Sequence, residues 1–150
     1  MEIRRLGPAD VAAMHAANRL FREVFGEEGY QGPGPGDGHL AALLADPKFV
    51  ALVACIEGEI IGALAGYELV KFEAERSEIY IYDLAVREKR RRQGVATGLI
   101  ERLKEIARDK GSWVIFVQAD PPDAPAVALY EKLGTREEVL HFDISVSGDR

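Results

Sequence analysis

A chain of 150 residues with 19 basic and 25 acidic side chains, and hence a net charge of −6, has the size of one ordinary domain, and one domain spanning 1–150 is expected. The acidic balance argues against nucleic-acid binding, despite the basic run Lys89, Arg90, Arg91 and Arg92, and suits a cationic partner. The longest apolar run, residues 49–56, falls far short of the roughly 20 residues that cross a bilayer, and the first residues carry neither a signal core nor a cleavage site. No membrane association and a cytoplasmic location are therefore expected. Cys55 stands alone, so an internal disulfide is excluded and a buried, inert thiol is the expected reading. His15, His39 and His141 lack metal-ligand spacing, and no metal site is expected.

In chain order, a strand-like segment over 2–6 precedes Pro8, which fits a first helical turn. Val11, Met14, Leu20, Val24 and Phe25 then recur at helical spacing as far as Gly26. Residues 29–38, GYQGPGPGDG, are too rich in glycine and proline for helix or strand and predict a surface loop, either a lid or a spacer. A short helix over 39–45 ends before Asp46-Pro47, because the residue preceding proline is pushed out of the helical region. Residues 49–56, 60–69 and 78–86 are β-prone and joined by a Glu57-Gly58-Glu59 turn and a charged loop, which predicts an antiparallel meander. The period then changes. Val95, Leu99, Leu103 and Ile106, flanked by Ala96, Ile100 and Ala107, form one helical stripe ending at Arg108, Lys110 and Gly111. Residues 113–119 read as a buried strand parallel to 78–86, followed by a helix over 125–133, stopped by Gly134, and a last strand over 137–144.

The segment that carries chemistry lies between the third meander strand and the long helix: Arg91, Arg92, Gln93, Gly94, Val95, Ala96, Thr97. A strand that enters a helix through a basic, glycine-containing turn aims free backbone N–H groups and the positive end of the helix dipole at one point, and that point suits a pyrophosphate. Gly94 lets the ligand approach the backbone, Ala96 keeps the next turn low, and Arg91 or Arg92 adds charge-assisted bonds. The dipole alone is worth only about 0.3 to 1 kcal/mol, so several N–H groups and arginines must act together. Neither G-x-x-x-x-G-K-[ST] nor a strand-borne G-x-G-x-x-G is present.

R-x-x-G-x-A over 91–96, the preceding strand end Asp83-Leu84-Ala85-Val86 and the downstream Ala128-Leu129-Tyr130-Glu131-Lys132-Leu133-Gly134 together resemble the GCN5-related N-acetyltransferases. The resemblance implies an α/β fold of the α+β type: a mixed, mostly antiparallel sheet whose two central parallel strands splay apart, with about four flanking helices. It further implies that acetyl-CoA is the co-substrate, that its pantetheine lies in the splay, and that Leu84, Ala85 and Val86 meet it with their backbone groups, stabilising the developing oxyanion. Asp123 and Ala126 are implied as further contacts, although Asp123 stands where the family often has asparagine. SEIYIYDLAV (77–86), VQAD (117–120) and PAVALYEKLGTREEVLHFDI (125–144) are similar to class I aminoglycoside 3-N-acetyltransferases, bacterial resistance enzymes, and extend the resemblance over most of the chain. Thr135 in place of phenylalanine, and one C-terminal strand in place of two, depart from the wider superfamily.

Asp83 is the candidate base. With Ile79, Ile81 and Ala85 it alternates onto one strand face, where a carboxylate is costly unless paired or raised in pKa, and a cationic amine would supply the partner. The alternative is a solvated aspartate at a strand bulge. Tyr130 is the candidate acid. With a phenol near pKa ~10 and a thiol near ~8.5, its part is a hydrogen bond to the leaving thiolate, and the alternative is a tyrosine capping the core. Glu78, Asp120 and Glu138 are candidate carboxylates for a polycation, each otherwise a surface charge. Tyr82, with Tyr80, is expected either to contact sugar rings or to pack against a helix. The competing functions are acetylation of a polyamine or peptide amine, and a non-catalytic acyl-CoA sensor. A homodimer is one way to cover the edge left by a single C-terminal strand.

Overall fold

The computed structural model describes residues 1–26 and 32–147. Its elements are β1 (Glu2–Arg5), α1 (Val11–Phe25), α2 (Asp37–Ala45), β2 (Phe49–Ile56), β3 (Glu59–Val70), β4 (Ser77–Val86), a short 3-10 turn at Glu88–Arg90, α3 (Val95–Lys110), β5 (Ser112–Val117) and α4 (Ala124–Leu133). They divide into two compact units, Met1–Gln118 and a C-terminal unit starting at Ala119 that holds α4. The Gly/Pro loop expected over 29–38 lies partly outside the described residues. Of the rest, 32–36 carry no helix or strand, and Asp37 and Gly38 already belong to α2.

In the first unit the strands lie in chain order, β1-β2-β3-β4-β5, antiparallel except for the parallel β4–β5 pair that α3 connects. Glu57 and Gly58, both at positive φ, close the β2–β3 hairpin as a two-residue turn requires. Alternation along the strands sorts the core into two layers. Phe49, Ala51, Val53, Ala63, Ala65 and Ala85 pack with Met14, Ala17, Leu20 and Phe21 of α1 and with Leu40 and Leu44 of α2. On the opposite face a Cβ added at Gly62 would lie 2.7 Å from Val95 and 3.3 Å from Leu99, so β3 and the start of α3 meet closely. The predicted α3 stripe is buried along its length, Val95, Leu99, Leu103 and Ile106 included, at about 1.5–3 kcal/mol for each large side chain. Gly111, left-handed, ends α3 by donating to the carbonyls of Ala107 and Arg108.

Three expectations are corrected. Pro8 stands in a turn closed by the Asp10 N–H on the Gly7 carbonyl (2.9 Å), and α1 starts only at Val11. Cys55 is half-buried rather than enclosed, although burial still pushes its thiol pKa up, in keeping with an inert thiol. The final strand expected over 137–144 is not formed among the described residues: 135–147 carry no helix or strand, and Leu140, Phe142, Ile144 and Val146 are exposed. Their alternation is a local preference, and a strand exists only where its backbone groups find a ladder partner.

Candidate functional site

The predicted phosphate turn has the geometry its residues imply. From Val86 the chain passes through the 3-10 turn into Arg91–Gly94 and then α3. Arg92 (φ 62°) and Gly94 (φ 80°) are both left-handed, a backbone that gathers successive N–H groups into a concavity. Gly94 is the N-cap of α3, and no side chain caps the helix, so the first-turn N–H groups of Val95, Ala96 and Thr97 lack the usual internal acceptor. A Cβ on Gly94 would meet nothing within 4 Å, which leaves that approach open. Arg91, Arg92, Gln93 and Gly94 are exposed while Val95 is buried beneath them. Arg91 Nε donates weakly to the Val86 carbonyl (3.4 Å), holding one guanidinium beside the strand end. Uncapped amides, an open glycine and two exposed arginines fit the pyrophosphate of acetyl-CoA.

The ladder between the two central strands stops short of the end of β4. The β4–β5 ladder ends at Ile81 with Val117, so over Tyr82 to Val86 β4 is paired only with β3. The Arg87 N–H bonds the Ile61 carbonyl at 2.8 Å, so by antiparallel alternation Leu84 and Val86 turn their backbone groups away from β3, whereas Ala85, expected among the open residues, turns its own toward Ala63. The same segment contains a bulge. Ala65 pairs with Asp83 and Gly66 with Ile81, which leaves Tyr82 as an extra residue. This overturns the expected face of Asp83. Ile79 and Ile81 are buried on the α3 side, whereas the bulge turns Asp83 and Ala85 to the α1 side, level with Ala65. Asp83 is half-buried there and does not share the apolar face of Ile79 and Ile81.

What shares its face is aromatic. Phe49, Tyr67, Tyr80 and Phe116 are successive cross-strand partners on β2, β3, β4 and β5 and form one row across the sheet. Phe49 and Tyr67 have ring centroids 5.3 Å apart, and Tyr80 stacks on Phe116 at 4.7 Å with planes 4° apart. Tyr82 lies edge-on to both Tyr67 (6.1 Å) and Tyr80 (5.9 Å). Burial, then the neighbouring Tyr82, then the charge of Asp83 push the pKa values of Tyr67 and Tyr80 above the ordinary phenol value. Both therefore stay neutral hydroxyls at and above neutral pH. The Tyr80 hydroxyl donates to Gln118 Oε1 at 2.8 Å. Tyr67 and Phe116 were missed by the sequence reading, because only the register of three strands brings them beside Asp83.

Glu78 lies on the same face, level with Leu69 and Val114, and its carboxylate is 4.0 Å from Lys71 Nζ. The remaining predicted residues belong to the C-terminal unit. Asp123 is the N-cap of α4 and accepts from the Ala126 N–H at 3.3 Å, so these two residues are already partnered with each other. Tyr130 is a half-buried residue of α4 whose carbonyl accepts from the Gly134 N–H (2.8 Å). Asp120 is exposed. Glu138 is bonded to Arg136 at 2.9 Å, which also holds Glu131 at 2.8 Å. A separate cavity of about 570 Å³ opens at the Ser77 end of β4, lined by Glu68, Lys71, Phe72, Arg76 and Lys110 among others. Its charges are internally matched, Lys110 on Glu68 at 3.1 Å and Lys71 near Glu73 at 3.8 Å, and it lies at the opposite end of β4 from the bulge. Among the described residues no group of histidine, cysteine or carboxylate side chains is placed to hold a metal, and no helix is long and apolar enough to cross a membrane.

A strand end beyond its parallel ladder, an uncapped helix start after it and a carboxylate beside the ladder's end are the features that the GNAT resemblance implies. The chain belongs to the acetyltransferase (GNAT) family, whose sequence model matches residues 12–135. It is 54% identical to an aminoglycoside acetyltransferase from an uncultured soil metagenomic sample, with 97% of each chain covered and a TM-score of 0.93. A second soil-metagenome aminoglycoside acetyltransferase, solved in complex with sisomicin, is 34% identical over 97% of this chain and 95% of its own, with a TM-score of 0.90. The L-amino acid N-acetyltransferase AaaT of Escherichia coli K12 is 31% identical over 69% of this chain and 64% of its own length. The chain spans 39% of the length of the rodent N-acetyltransferase family 8 proteins that it also matches.

Proposed function

We propose that the protein is an aminoglycoside 3-N-acetyltransferase, a single catalytic domain that moves the acetyl group of acetyl-CoA to the 3-amino group of the deoxystreptamine ring in gentamicin-like drugs, and so confers resistance in the cytoplasm. The observation that carries this reading is Asp83, a carboxylate held by a bulge where β4 parts from β5, beside tyrosines. Acetyl-CoA supplies an activated thioester, and the residues around it bind and move protons. The N–H groups of 94–97 with Arg91, Arg92 and Gln93 hold its pyrophosphate, and the backbone of Leu84 and Val86 serves the pantetheine and the thioester oxygen. Asp83 orients the amine and takes its proton as the new C–N bond forms by direct attack. Tyr130 donates a hydrogen bond to the departing thiolate, and Asp123 and Ala126 complete the pantetheine contacts. Tyr82, Glu78, Asp120 and Glu138 contact the polycation.

The similarity to two aminoglycoside acetyltransferases, one holding sisomicin, favours this amine over a polyamine or a peptide, and the presence of Asp83 favours an enzyme over a sensor. Incubation with acetyl-CoA and gentamicin is expected to yield one product, acetylated at the 3-amino group by mass spectrometry and NMR. Acetylation at another nitrogen would refute the assignment and leave an acetyltransferase. A homodimer is part of the same reading, although the C-terminal strand whose edge it was expected to cover is not formed among the described residues. Sedimentation at micromolar concentration is expected to give twice the chain mass, and a monomer would remove it.

A further inference from the structure

We infer that the aromatic row Tyr67, Tyr80 and Phe116, with Tyr82 at its edge, is the platform on which a sugar ring of the substrate stacks, and that it selects ring-bearing polyamines over flexible ones. The inference rests on the aminoglycoside reading and names the residues that set its specificity. Cross-strand register puts the three rings on one sheet face, and Tyr82 and Tyr67 are 63% and 39% exposed. Large apolar rings left in solvent on a sheet face present a surface for the C–H face of a sugar and, at their centres, for an ammonium group.

The charges match such an occupant. Along β4 the row lies between Asp83, level with Ala65, and Glu78, level with Leu69. From the four-residue separation of Ala65 and Leu69 on β3, the Cα positions of Asp83 and Glu78 are about 13 Å apart along the strand, with the row midway. A rigid amino-sugar laid on the rings places ammonium groups toward both ends at once. Lys71, 4.0 Å from Glu78, is the cation it would displace. A linear polyamine satisfies the carboxylates but has no ring face to lay on the tyrosines, and it pays more conformational entropy to stay extended.

The test compares affinities for gentamicin and for spermine, a linear polyamine with no ring, by calorimetry in wild type, Tyr82→Leu, Phe116→Leu and Tyr80→Phe. Wild type is expected to prefer gentamicin. Tyr82→Leu and Phe116→Leu should each reduce that preference roughly 10-fold, and Tyr80→Phe, which keeps the ring and loses only the hydroxyl, should retain most of it. Acetyl-CoA affinity and the melting temperature report whether each variant is folded. Tyr82 is the most exposed of these rings, so its variant remains informative if Phe116→Leu fails to fold. An unchanged preference in a folded Tyr82→Leu overturns the platform alone. A wild-type protein that binds no gentamicin overturns the aminoglycoside reading and the platform with it.

Discussion

Asp83→Asn is expected to lower kcat about 10²- to 10⁴-fold with gentamicin, the range that loss of a positioned proton acceptor produces, while acetyl-CoA affinity changes less than twofold. Asparagine has nearly the volume of aspartate and keeps a carbonyl oxygen for hydrogen bonding, so the bulge and its pairing to Ala65 have no reason to move. What is lost is the negative charge and the ability to accept a proton. The neighbouring hydroxyls cannot replace it. Burial first, then Tyr82 and Asp83, raise the pKa values of Tyr67 and Tyr80, and a phenol with a raised pKa holds its proton throughout pH 6 to 9. Steady-state kinetics over that range decide the matter. Wild-type turnover in the asparagine variant would remove Asp83 from the chemistry.

How far the sequence carried each part of this site follows from how local the determining interactions are. The phosphate turn is local: a strand end, Arg91, Gly94 and Ala96 in consecutive positions, and a helix stripe from Val95 onward need no distant partner to be read, and the structure has the turn, the left-handed Gly94 and the uncapped helix start. The face of Asp83 is not local. Strict alternation assigns it to Ile79 and Ile81, and only the extra residue at Tyr82, visible in the register against β3, sends it to the other side. The aromatic row is less local still, since Tyr67, Tyr80 and Phe116 lie on three strands and meet only because two ladders, one antiparallel and one parallel, agree in register. The missing strand over 137–144 is the converse case. Leu140, Phe142, Ile144 and Val146 alternate as a strand should, yet alternation states a preference and pairing decides.

Gly94→Val is expected to raise the dissociation constant for acetyl-CoA at least 10-fold and to cost the fold only about 1–2 kcal/mol. Two separate effects set these magnitudes. At φ 80° a β-branched residue is strained, by an amount in the range of left-handed non-glycine backbone. Within the protein itself the added side chain meets nothing, since a Cβ at Gly94 has no neighbour within 4 Å. Destabilisation is therefore limited to the local backbone, and the helix behind it stays anchored by Val95 and Leu99 against Gly62. The ligand is affected far more. An isopropyl group in the mouth of the turn holds a pyrophosphate away from the amides of 94–97, and each charge-assisted bond lengthened or lost is worth about 1.5–3 kcal/mol, so one such loss already exceeds a factor of 10. The arginines at 91 and 92 keep a residual attraction that salt screens, so the remaining affinity should still fall with ionic strength. Calorimetry at two salt concentrations measures both quantities. A folded variant with wild-type affinity would mean that the pyrophosphate is held elsewhere and that this turn serves only to start α3.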